Sequence, residues 1–133
     1  MDPTDLELVR LSLHITAATI WVGGQLVLAA LVPALRAVSP EAPGAAARAF
    51  AKVAWPAFGL LLVTGAWNAW AVRHELHGTQ AALFGAKLTA VVLSGLTAWL
   101  HERASSVRGR ALSGAGTGVF ALLTLVLGVR LTL

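Results

Sequence analysis

Two ionisable residues inside long apolar stretches are the first candidates for chemistry in this sequence. His14 falls within a charge-free run of residues 11–35, and Lys87 interrupts a largely apolar run of residues 79–100. A histidine can ligate a metal or carry a proton, and a lysine can pair with an anionic ligand. Because ionisable groups are costly inside a bilayer, such residues are by default candidates for a functional site.

The residues near His14 and Lys87 favour haem b or a related porphyrin as the ligand. Trp21 shares a helical face with His14, and Arg73 and Arg130 end two further apolar runs at the same expected side of the membrane. Cations in this position repel a bare metal ion and attract the carboxylates of a haem. The expected cofactor-binding residues are His14 as axial ligand, Trp21 against the ring, and Lys87, Arg130 and Arg73 at the propionates.

A histidine-based copper site is a second interpretation that the sequence leaves open. His74 and His77 follow the second apolar run with i, i+3 spacing, which lets both rings reach one metal if the helix continues. His14 can approach from the first helix, and three imidazoles without a cysteine suit Cu(II) or Zn(II). The candidate metal ligands are therefore His14, His74 and His77.

The composition excludes most classes of soluble protein. Of the 133 residues, 57% are hydrophobic and only 12% are charged, against about 25% charged residues in an ordinary soluble domain. The net charge is only +4, and the basic residues are scattered between apolar runs, which argues against nucleic acid as a partner. The chain has no cysteine, so disulfides and thiolate metal sites are excluded. An integral membrane protein in contact with the lipid bilayer is the expectation.

Four apolar segments predict four membrane-spanning helices. The predicted spans cover residues 11–35, 53–72, 79–100 and 111–130, and each approaches or exceeds the roughly 20 residues that cross a hydrocarbon core. The connections are short enough for neighbouring helices to pack antiparallel. We therefore predict an all-α fold, an integral membrane four-helix antiparallel bundle, with residues 1–133 forming a single four-span membrane domain.

The distribution of cations predicts the orientation, because short cytoplasmic loops are enriched in Lys and Arg. The first and third connections with their flanking helix ends carry most of the positive charge: Arg36, Arg48, Lys52, Arg103, Arg108 and Arg110. This asymmetry predicts both termini outside a bacterial-type plasma membrane. Trp67 and Trp70 then mark the outer interface, and Trp55 and Trp99 the inner one.

A series of short segments starts in the first predicted helix and continues through most of the chain: Leu13-His14, Trp21-Val22-Gly23-Gly24, Pro33-Ala34-Leu35-Arg36, Arg48 with Phe50, Thr64-Gly65, Asn68-Ala69-Trp70 and Lys87-Leu88. In these segments the sequence resembles the CopD copper-resistance membrane domain family. A histidine on helix 1 and a lysine on helix 3 also characterise the related HemJ-type protoporphyrinogen oxidases, which are haem-associated. His14 and Lys87 match these two positions.

The resemblance implies two kinds of function, and the size and composition of the chain fit a third. CopD implies copper uptake or transfer across the plasma membrane, and HemJ implies a haem-associated oxidoreductase acting in electron transfer or porphyrin oxidation. The chain has four spans and lacks the Met- or His-rich extramembrane region of the fuller CopD proteins. Its small size and its glycines also fit a non-catalytic subunit, packed as a homo-oligomer or within a larger membrane complex.

Overall fold

The chain folds into long α-helices joined by short turns. The computed structural model describes residues 2–74 and 77–131. Its elements are α1 (Pro3–Ala18), a π-helical turn (Thr19–Gly23), α2 (Gly24–Val38), α3 (Ala42–Val72), α4 (Gly78–Arg103) and α5 (Val107–Arg130). The described residues contain no strand. The predicted all-α fold is confirmed.

The predicted membrane spans are confirmed as four long apolar helices. They are Thr4–Val38, Ala42–Val72, Gly78–Arg103 and Arg108–Arg130, with lengths of 35, 31, 26 and 23 residues. α1, the π-helical turn and α2 together form the first of them. Each helix exceeds the roughly 20 residues that cross a hydrocarbon core. By length and composition, the chain is a multi-pass membrane protein.

The chain divides into two compact units, Met1–Val72 and Arg73–Leu133. In the first unit, α1, the π-helical turn and α2 pack on α3, and in the second unit α4 packs on α5. The turns within each unit are short, so the paired helices run antiparallel. The expectation of one domain over residues 1–133 stays a prediction.

Aromatic ring contacts and the close approach of one glycine to a phenylalanine hold the first unit together. Trp21 and Phe58 lie with ring centroids 4.4 Å apart, and the Trp55 centroid is 5.6 Å from that of Trp21. Toward the turn between α2 and α3, Gly24 lies so close to the Phe50 ring that a Cβ at this position would overlap it. The small residue is therefore a condition for the close approach of the two helices.

Small and hydroxyl-bearing residues form the contact between α4 and α5 in the second unit. The buried Ser94 hydroxyl donates a 3.4 Å hydrogen bond to the carbonyl oxygen of Thr117. A Cβ on Gly116 would lie 3.2 Å from Cγ2 of Thr97. Such residues let helix backbones approach closely where lipid, as apolar as leucine, supplies no hydrophobic driving force.

Large apolar side chains lie mostly on the outside. Val38, Val63, Val92 and Leu112 are each at least 63% exposed, whereas the fully buried side chains include Thr64 and Ser94. A soluble domain with this distribution would expose a large apolar surface to water. In a bilayer the same side chains contact lipid.

Candidate functional site

His14 lies on α1 at its contact with α3. Its ring is half-buried, and its Nδ1 atom is 2.8 Å from Oγ1 of Thr64. The Cε1 atom of the ring is 3.5 Å from the position that a Cβ of Gly65 would take. Glycine at position 65 therefore lets the imidazole lie directly on the α3 backbone.

The hydrogen bonds of Thr64 determine which nitrogen of His14 carries the proton. Oγ1 of Thr64 is 2.7 Å from the carbonyl oxygen of Leu60. A carbonyl oxygen only accepts, so the single hydroxyl proton of Thr64 is donated to Leu60. His14 must then donate its Nδ1–H to Thr64, and this assignment leaves a lone pair on Nε2. In this tautomer Nε2 can ligate a metal or accept a proton.

The contacts between the first and third helices define their register. Earlier residues of the first helix meet later residues of α3, in the pairs Gly24 with Phe50, Trp21 with Phe58, and His14 with Thr64. Arg10 lies one helical turn before His14, and Asn68 lies one turn after Thr64. The antiparallel register therefore brings Arg10 and Asn68 to the same level of the helical pair.

Arg10 and Asn68 both carry buried polar atoms. Arg10 is only 8% exposed, although it directly precedes the charge-free run of residues 11–35. Neither Nε of Arg10 nor Oδ1 of Asn68 has a hydrogen-bond partner among the described residues. Buried polar atoms in proteins nearly always have such partners, so each of these two atoms requires an explanation.

Glu7 is a weak partner for Arg10. Its Oε1 atom lies 3.6 Å from Nη2 of Arg10, and its side chain is 61% exposed whereas that of Arg10 is 10% exposed. The separation is too long for a hydrogen bond, and the exposed carboxylate contributes little to the ion pair. We call Arg10, His14, Thr64 and Asn68 the His14 cluster.

Trp21 lies within the aromatic contact between the first helix and α3. It is 3% exposed and belongs to the π-helical turn Thr19–Gly23. Trp55, expected at the inner membrane interface, is half-buried against Trp21. Because a π turn contains an additional residue, residues after it are out of phase with those before it. The sequence analysis placed Trp21 on the same face as His14 by assuming a regular α-helical period, which does not include this turn.

Lys87 belongs to the second unit, whereas His14 belongs to the first. Lys87 is half-buried on α4, and its Nζ atom is 3.3 Å from the position that a Cβ of Gly128 would take. Gly128 lies in the last turn of α5, where a helix carries partial negative charge on its carbonyl oxygens. Glycine at position 128 therefore leaves room on α5 for the end of the Lys87 side chain.

The other predicted ligands are exposed. Arg73 and His74 follow α3, His77 precedes α4, and Arg130 ends α5. Within the described part of the chain, no three His, Cys, Asp or Glu side chains come together in a way that could hold a metal ion. The expected copper site of His14, His74 and His77 therefore gains no support from the geometry and stays untested.

The remaining histidine has a structural contact. Nδ1 of His101 is 2.8 Å from the carbonyl oxygen of Arg110, so the ring links the end of α4 to the start of α5. A Cβ on Gly114 would lie 3.0 Å from the same ring. His101 is therefore a natural control for His14, because both rings donate Nδ1–H to an oxygen within one helical pair.

Arg10, Thr64 and Asn68 are the members of the His14 cluster that were not predicted as site residues from the sequence. Arg10 precedes the first charge-free run of the sequence, and Asn68 lies within the second predicted span. The i, i+4 spacings between Arg10 and His14 and between Thr64 and Asn68 are the signals that place each pair on one face. No periodicity within one helix reveals which residue of another helix lies opposite.

No protein-family model, curated protein or solved structure matches this chain. The relationship to the CopD and HemJ families therefore stays a prediction based on the residues quoted above.

Proposed function

We propose that this membrane protein binds haem b or a related porphyrin for redox or electron-transfer chemistry, with Nε2 of His14 as an axial ligand. The observation that carries the proposal is the hydrogen bond from His14 Nδ1 to Thr64. Histidines that ligate metals almost always donate their other ring N–H to an oxygen acceptor, which fixes both tautomer and ring orientation. The Thr64 hydroxyl provides this acceptor inside a membrane-spanning helix.

The residues around His14 suit a porphyrin better than a bare metal ion. Gly65 leaves the imidazole side of α3 without a side chain, and Arg10 adds a buried cation one turn away. A buried cation disfavours an isolated copper ion and favours a ligand that carries carboxylates. Bound haem would supply one-electron chemistry at iron. The protein residues would hold the imidazole, exclude water and neutralise carboxylates.

Trp21 and three cations keep the roles that the sequence assigned to them within this proposal. Trp21 would pack beside the macrocycle, and Lys87, Arg73 and Arg130 would pair with propionates. The three cations belong to the second unit, whereas Trp21 shares the first unit with His14. Each assignment can be tested separately because the substitutions affect different segments of the chain.

Absorbance spectroscopy of the protein purified in detergent tests the proposal directly. We expect a Soret band from cells with adequate haem supply, loss of that band in His14→Ala, and its retention in His101→Ala. The two variants remove rings of the same chemistry with comparable hydrogen bonds. A wild-type protein that stays colourless, both as purified and after addition of haemin, would overturn the proposal.

Metal analysis of the same preparations distinguishes the copper interpretation. Stoichiometric copper that survives Lys87→Ala but is lost when His74 and His77 are both replaced would favour the histidine site. Copper that co-purifies without dependence on any of these residues would indicate binding outside the predicted site.

A further inference from the structure

Arg10 and Asn68 each have a buried polar atom, and the two residues lie at the same level of the pair formed by the first helix and α3. Nε of Arg10 is a donor and Oδ1 of Asn68 is an acceptor, and neither has a hydrogen-bond partner in the described residues. Leaving such groups unsatisfied in a buried position is costly. Two unsatisfied groups at one level indicate a place where something else completes the hydrogen bonding.

The neighbouring acidic residue does not fill this place. Glu7 lies one turn closer to the N-terminus, its carboxylate is 3.6 Å from Nη2 of Arg10, and most of its side chain is exposed. Nε of Arg10 is therefore left without an acceptor while the guanidinium stays charged, as arginine does in proteins. The unsatisfied atom of Arg10 is a donor on a cation, so its missing partner is an anion or another oxygen acceptor.

A carboxylate fits the donors that these two side chains can offer. Arginine binds carboxylates through two parallel N–H groups, and Nε provides one member of such a pair. The amide of Asn68 can present its NH₂ group in place of its oxygen after a half-turn of the side chain, because the two orientations differ only in hydrogen bonding. Together the two residues can then donate to both oxygens of one carboxylate.

We infer that Arg10 and Asn68 form a carboxylate-binding site, and that its ligand is a propionate group of the porphyrin held by His14. This inference rests on the proposed function. Arg10 lies one helical turn from His14 on the same face, about 6 Å along the axis. A single molecule that carries both a metal and carboxylates can therefore reach both residues. Arg10 is thus a ligand-positioning residue within the first unit itself.

Comparison of haemin with its dimethyl ester tests the inference, because esterification removes the negative charge and leaves the iron and macrocycle unchanged. The protein is prepared without haem and titrated with each compound in detergent. We expect Arg10→Gln to bind haemin about 10-fold to 100-fold more weakly, the loss of a hydrogen bond to a charged group. Binding of the dimethyl ester should not change.

Two further variants make the measurement independent of folding effects. Asn68→Asp places a carboxylate of the protein at the level of Arg10, so it supplies the missing acceptor and competes with the propionate. We expect this variant to fold as the wild type does and to lose affinity for haemin but not for the ester. Arg36→Gln removes an exposed cation from the other end of the same span and should leave both affinities unchanged.

The possible results separate the two proposals. Equal loss of haemin and ester binding in Arg10→Gln would mean that Arg10 acts only on packing, and unchanged haemin binding in both Arg10→Gln and Asn68→Asp would mean that the propionate lies elsewhere. Either result overturns the carboxylate site and leaves His14 as ligand. Failure of the wild type to bind either compound overturns the proposed function, and the propionate assignment with it.

Discussion

His14 on the first helix and Thr64 on α3 are joined by a hydrogen bond of 2.8 Å between Nδ1 and Oγ1. Thr64 is 1% exposed and donates its own proton to the carbonyl oxygen of Leu60, so the direction of the bond is determined. The imidazole is thereby fixed in one tautomer and one orientation before any ligand binds. Such preorganisation is the physical reason for the ligand role that we propose for His14.

Removal of the Thr64 hydroxyl should weaken ligand binding without unfolding the protein. Thr64→Val keeps the shape of the side chain but leaves His14 Nδ1–H without an acceptor. Loss of the hydrogen-bond partner of a metal-ligating histidine typically costs about 10-fold to 100-fold in metal affinity. Thr64→Ser retains a hydroxyl and should bind haemin like the wild type. Haemin titration measures both, and equal affinity in Thr64→Val and wild type would contradict the role assigned to this hydrogen bond.

Side-chain size at Gly65 should control the position of the His14 ring. A Cβ would lie 3.5 Å from Cε1 of His14, an ordinary van der Waals distance, so Gly65→Ala should be tolerated. Gly65→Leu should displace the ring and abolish the Soret band. Gly59→Leu is the matched control, because a Cβ on Gly59 meets nothing within 4 Å among the described residues. If both leucine variants retained the band, His14 would not ligate the haem from this position.

Gly24 should be the glycine most sensitive to substitution in the first unit. A Cβ there would overlap the Phe50 ring, and overpacking of this kind costs about 1–3 kcal/mol. We expect Gly24→Ala to lower the temperature above which the heated protein no longer elutes as a monodisperse peak in size-exclusion chromatography. The double variant Gly24→Ala/Phe50→Leu should regain the wild-type temperature. Gly59→Ala should have no such effect. Equal stability of the two alanine variants would show that the helices can separate locally at little cost.

Lys87 should contribute to carboxylate binding if it has the propionate role proposed for it. Lys87→Met keeps the unbranched chain and removes the charge, so it should weaken binding of haemin while leaving its dimethyl ester unaffected. A double-mutant cycle with Arg10→Gln measures whether the two effects add, as they do for groups that act on separate carboxylates. Wild-type affinity in Lys87→Met would remove Lys87 from the site and leave the Arg10 prediction intact.

The orientation predicted from the cations can be measured because the chain has no cysteine. A single cysteine introduced by Asp2→Cys should react with a membrane-impermeant maleimide added to intact cells. Ser105→Cys, in the turn between α4 and α5, should react only after lysis. The positive-inside rule predicts this asymmetry. The opposite labelling pattern would place the termini in the cytoplasm.

The four spans and the first candidates for chemistry were readable from the sequence because the bilayer imposes strict conditions on it. A helix must be long and apolar to cross, so each predicted span lies within one of the helices found. A charged or titratable residue inside a span is costly, which is why His14 and Lys87 stand out without any structure. These conditions act on each segment separately, and one sequence therefore reveals them.

The partners of those residues were decided only in the tertiary structure. The register between the first helix and α3 depends on how Gly24 fits against Phe50 and Trp21 against Phe58. That fit brings Thr64 to His14 and Asn68 to the level of Arg10. The π-helical turn at Thr19–Gly23 interrupts the simple helical period in the same region. Periodicity specifies which face of a helix a residue occupies, whereas side-chain packing between helices determines what that face meets.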